Sequence, residues 1–193
     1  VRPFSFRVSS LASCGNSITL VWNLTDNGYQ IGTISKTYQL GTPSTGSPQI
    51  FSNSAPVVIP ASGSGTSAGA PANPYPSTIV VSGLAQKAGE VKVRLNGVRH
   101  LFPADIDVLL VNPGGRAMIL MSDVVVCTHF TGQTYTFSDS AASLLPSGGS
   151  PPASGTYRPT NYGSTDNFPA PAPAPPYDSP ATAGTVTLTQ AFT

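Results

Sequence analysis

Glycine and proline punctuate this chain so densely that no long helix can run through it. The 193 residues hold 19 glycines and 20 prolines. Proline removes a backbone donor and glycine costs conformational entropy, so both interrupt regular helix. The stretches left between them are short and alternate large with polar residues at period two, the pattern of a half-buried strand. No stretch carries the 3.6-residue period of a helix. The sequence therefore predicts an all-β protein, an antiparallel β-sandwich in preference to a closed barrel.

Charge narrows the partners. Only 9% of residues are charged, against about 25% in an ordinary globular chain. Serine, threonine, asparagine and glycine take their place around clear β patterns, so the chain is expected to fold. The net charge is +1 with lysine and arginine scattered, which leaves no basic stripe to neutralise phosphates and excludes nucleic acid as the expected partner. No run approaches the roughly 18 apolar residues of a membrane span. The chain shows no signal peptide and starts at Val1, which reads as a processed form or a fragment. A Ser/Thr-rich, lysine-poor surface suits an extracellular, secreted or cell-surface protein.

Along the chain, "FSFRVSS" (4–10), "SITLVWNLT" (17–25) and "QIGTISKTYQLG" (30–41) read as strands. "DNG" (26–28) marks a hairpin between the last two, because Asn and Gly tolerate the positive φ of primed turns. Residues 1–50 thus form an N-terminal β-hairpin or strand arm, too few strands for an independent domain. "APVVIP" (55–60) suits an edge strand bounded by prolines, and 61–76 carries no pattern. "STIVVSGL" (77–84), "GEVKVRLNGVRH" (89–100), "DIDVLLVNPGG" (105–115), "AMILMSD" (117–123), "QTYTFSDSA" (133–141) and "GTVTLTQAF" (184–192) read as the strands of a meander-like domain over 51–193. Proline-rich 146–180 is expected to be extended and internally unbonded.

The segments "YPSTIVVSGL" (75–84), "GEVKVRLNGVRHLFPADIDVLLVNPGGRAMILMSD" (89–123), "YTFSDSAASLLP" (135–146), "SGTYRPTNYGSTDNFPAPAPAPPY" (154–177) and "GTVTLTQAF" (184–192) together resemble the P domain of subtilisin-like proprotein convertases, in the variant appended to bacterial secreted and cell-surface proteins. The likeness covers 51–193. It implies a jelly-roll β-sandwich that accompanies and stabilises a neighbouring domain without catalysing. Two departures stand out. The family's closing hairpin has no counterpart after Phe192, and Ser138 beside Asp139 replaces a second aspartate of the family pattern. Residues 1–50, through "CGNSITLVWNLTDNGYQIGTISKTYQLGT", resemble the tail of a preceding bacterial β-repeat.

Few residues invite chemistry. His100 lies near Asp105 and Asp107, as a metal site or acid–base pair would require. The favoured alternative is that all three hydrogen-bond loop backbone at a strand edge. His129 near Cys127 lacks the further ligands of a zinc site and the orienting third group of a nucleophilic centre. Asp105, Asp107 and Asp139 are the candidate calcium ligands, with Asp166 and Asp178 in further loops, since Ca²⁺ gathers many oxygens. Their spacing fits no EF-hand, and no other cofactor is expected. Cys14 and Cys127 are either a disulfide or two small buried hydrophobes. Bridged, they would close a loop of more than a hundred residues, worth about 4 kcal/mol in the chain-entropy account. Asn23, in "NLT", is the one glycosylation sequon.

These readings predict no enzyme. The expected function is a structural subunit of a surface assembly or filament, in which copies of the chain join through terminal β-strands. The alternative is an accessory or adhesive module of a larger secreted protease or other surface protein.

Overall fold

A computed structural model describes residues 16–40, 48–60, 70–84, 88–125, 128–163 and 166–193. The chain divides into two compact units, Val1–Gln49 and Ile50–Thr193. Both are β in character. The strand expected at 4–10 and both cysteines lie outside the described residues.

The first unit is a hairpin of β1 (Ser17–Asp26) and β2 (Tyr29–Gln39). Its two-residue turn, Asn27–Gly28, has φ of 47 and 83, both positive as a type I′ turn demands. Residues that face each other across two strands share a side of the ribbon. Ile18 lies opposite Tyr38, Trp22 opposite Ile34 and Leu24 opposite Gly32, which makes one side apolar apart from Lys36. The other side is polar apart from Val21, with Thr19 bonded to Thr37 and Thr33 donating to Asn23.

The second unit holds two three-stranded sheets among the described residues. One has the order β3 (Val93–His100), β6 (Phe130–Phe137), β7 (Gly155–Tyr157). The other has the order β4 (Val108–Val111), β5 (Ala117–Ser122), β8 (Thr160–Asn161). A single apolar cluster draws Phe130, Tyr135 and Phe137 from the first sheet and Met118, Leu120 and Met121 from the second. All six residues of β5 are buried, and its first five, "AMILM" (117–121), are a continuous apolar run, as a strand covered on both faces requires.

The structure departs from the sequence expectations in four places. The pairing is mixed: β6–β7 and β5–β8 are parallel. Long connections, 138–154 and 123–159, allow the chain to return in the same direction, which a tight turn cannot do. Residues 77–84 join no strand of the described residues. Residues 55–60 contribute one bridge, Val58 to Asn73. The final run, expected as a strand, ends in the helix α1 (Leu188–Phe192).

That helix forms for a reason visible in its side chains. Thr187 accepts from the Gln190 amide at 3.2 Å while Gln190 Oε1 accepts from the Thr187 amide at 3.0 Å, a reciprocal capping box. Asp139, far off in sequence, accepts from the amides of Leu188 at 2.9 Å and Thr189 at 2.8 Å. The first N–H groups of the helix, which have no partner within it, are thereby all satisfied.

Because β5 forms the centre of the core, Leu120→Ala is expected to lose about 2–5 kcal/mol of unfolding free energy, measured by urea denaturation of the full chain.

Candidate functional site

Two features stand out once the fold is drawn: a knot of carboxylates at one end of a sheet, and a bare apolar segment. The knot follows from strand register. Val108 pairs with Met121, and Ser122 pairs with Asn161. Asp107, Ser122 and Asn161 therefore stand side by side at the end of the β4–β5–β8 sheet. The Ser122 hydroxyl, fully buried, lies 2.7 Å from Asp107, 2.9 Å from Asp166 and 3.2 Å from Asp123. Asn161 donates to Asp166 at 3.4 Å and to Ser179 at 3.1 Å, and its Oδ1 accepts from the Gly163 amide. Asp123 has φ of 54, and its carboxylate fills the space where a side chain on residue 163 would go, so any larger residue there would have to push Asp123 out of the knot.

One hydroxyl carries one proton, so it can satisfy only one of the three carboxylates fully. Burial, followed by repulsion from Asp166, Asp123 and Asp105, pushes the Asp107 carboxyl up to about 6 against the Ser122 hydrogen bond. Burial also raises Asp166, with Asp123 adding to it and Ser122 and Asn161 opposing it. Asp107 as a residue remains exposed, so water screens part of this repulsion.

The structure separates the candidate calcium ligands. Asp107 belongs to the knot and Asp105, in the 3-10 turn Pro103–Asp105, lies within its electrostatic reach. Asp139 is engaged at helix α1, where its Oδ2 also accepts from the Thr189 hydroxyl. Asp178 pairs with Arg116. Asp123, the member of the knot that sequence reasoning missed, gave no signal beyond following β5. Among the described residues no group of three or more His, Cys, Asp or Glu is arranged to hold a metal ion.

His100 turns its ring to backbone: Nδ1 lies 2.7 Å from the Phe102 carbonyl and Nε2 2.7 Å from that of Pro60. It does not meet Asp105 or Asp107. His129 is exposed, one residue before β6. Asn23 is exposed on the polar side of the hairpin.

The bare segment is 77–84. Ile79, Val80, Val81 and Leu84 are exposed, Val80 to 81%. Among the described residues this stretch makes no backbone–backbone hydrogen bond. Its hydrogen bonds among the described residues come from Asn53, which donates to Ser77 Oγ and to the Thr78 carbonyl. A β-branched run whose amides and carbonyls find no backbone partner has the chemistry of a strand open to pairing.

No protein-family model, no curated protein and no solved structure matches this chain. No described helix is long and apolar enough to cross a membrane.

A group whose carboxyl is raised on folding stabilises the fold when protonated. That contribution is full below the ordinary value of 3.8 and is lost as pH rises through about 6. Asp107→Asn is therefore expected to raise the melting temperature near neutral pH and to flatten its dependence between about pH 4 and 6, measured by thermal scans across that range.

Proposed function

We propose that this chain is a non-catalytic structural subunit of an extracellular assembly, whose copies join through terminal β-strands. In this reading residues 51–193 are a P-domain-like jelly-roll module whose two sheets are the layers of a sandwich. The observation that carries it is segment 77–84: a strand by composition, bare of backbone partners among the described residues, with its apolar side chains in water. Isolated apolar residues on a surface need no explanation, but a contiguous run of them marks an interaction site. An added strand would satisfy the backbone groups and cover alternate side chains at once, which is how strand addition obtains both affinity and specificity.

The hairpin of the first unit fits the same reading. A two-stranded ribbon is marginal in water by itself, yet this one has a side that is apolar apart from Lys36, with Tyr29 and Ile31 also strongly exposed. Low charge across the chain removes repulsion that would oppose packing of copies.

The test is the oligomeric state of the full chain by light scattering and electron microscopy, compared with Val80→Lys. The natural sequence is expected to associate and the variant to remain monomeric. Because Val80 is exposed, the variant should keep its stability within about 0.5 kcal/mol. A chain that stays monomeric at every concentration would overturn self-assembly and favour an accessory module of a larger secreted protein.

A further inference from the structure

The sequence contains two Asn-Gly pairs, Asn27–Gly28 and Asn96–Gly97, and the fold treats them differently. Asn27 and Gly28 form the exposed tip of the hairpin. Neither glycine has an atom within 4 Å of where its side chain would stand, so the difference lies in the backbone: the Gly28 amide makes no hydrogen bond to a described residue. The Gly97 amide instead donates to Thr134 Oγ1 at 3.2 Å, which ties it to β6 at the irregularity between Leu95 and Val98 where the β3–β6 ladder skips Asn96 and Gly97.

We propose that Asn27 is a site of spontaneous backbone rearrangement, and that Asn96 is protected from the same reaction by the Gly97–Thr134 hydrogen bond. The Gly28 amide nitrogen, losing its proton, bonds to Asn27 Cγ. The Cγ–Nδ2 bond breaks and the nitrogen leaves as ammonia, carrying that proton, so that a cyclic imide remains. Water then opens the imide. Opening at the backbone carbonyl leaves isoaspartate, and opening at Cγ leaves aspartate. No oxidant or reductant is involved.

Glycine favours the step because it places no side chain in the path of its own nitrogen. Reaching Cγ also requires the Asn27 backbone to rotate out of the turn. The hairpin tip permits this, since Asn27 and Gly28 are exposed and lie beyond the last paired residues, Asp26 and Tyr29, at the end of a ribbon where local opening is easiest. The Gly97 nitrogen would first have to give up its hydrogen bond within a three-stranded sheet. Rearrangement at Asn27 has a structural consequence: isoaspartate lengthens the backbone of a two-residue turn whose geometry sets the strand register. It also adds a negative charge next to Asp26.

The test incubates the full chain in mildly alkaline buffer and follows both sites by peptide mapping and isoaspartate labelling, with a denatured sample as reference. The expected result is conversion at Asn27 well ahead of Asn96 in the folded chain and equal rates at both in denaturant. Thr134→Ala should speed conversion at Asn96 roughly fivefold, the factor one ordinary hydrogen bond is worth, and leave Asn27 unchanged. Hydrogen exchange of β1 and β2 amides should accelerate in converted material. An intact Asn27, or equal folded-state rates at both sites that ignore Thr134→Ala, would overturn the proposal.

Discussion

The burial of β5 between two neighbours is the interaction on which residues 50–193 depend. Its six residues place Met118, Leu120 and Met121 in one cluster, and its two edges are bonded by β4 on one side and by β8 and Asp178 on the other. A strand with no solvent face cannot slip by one residue without exchanging equally apolar neighbours, so apolarity alone does not fix its register. The turn before it does. Asn112 Oδ1 accepts from the Arg116 amide and the Gly115 amide donates to the Asn112 carbonyl, which sets where β5 begins and hence which residue reaches its far end.

That far end is where the sheet departs from simple packing. A buried serine hydroxyl and three carboxylates form a cluster with more acceptors than protons. Crowding of this sort disfavours the charged forms and raises the carboxyls concerned. No buried side-chain atom of the cluster is without a partner among the described residues, yet three carboxylates share the one Ser122 proton and their charges are mutually unfavourable. Favourable packing in the apolar cluster and unfavourable repulsion at the sheet end are thus joined through one strand.

Local patterns were legible in the sequence and long-range ones were not. The β1–β2 hairpin could be read because Asn27–Gly28 encodes its own turn. The β4–β5 pair could be read because "NPGG" sits between two apolar runs. The parallel pairs were hidden, since β7 and β8 are only three and two residues long and carry no period. Helix α1 was misread because "TVTLT" alternates like a strand. The Thr187–Gln190 spacing of a capping box was the available contrary signal, and Asp139, which completes it, is distant in sequence. The carboxylate knot eluded a search by spacing because its members reach one place from 107, 123 and 166 through strand order. The bare state of 77–84 is a property of what lies beside it, and sequence composition reports on a segment without its neighbours.

The contact between Asp139 and helix α1 makes the last turn of the described chain conditional. Five residues cannot hold a helix in water, because nucleation costs more than so few bonds return. Order at Leu188–Phe192 therefore presupposes that the loop after β6 has already been set in place by the sheet. The helix is a readout of assembly: its amides become protected only when a strand more than fifty residues upstream has found its seat. Folding of this unit consequently has a built-in completion signal, one that lags the core and vanishes first when the β6 end of the sheet loosens.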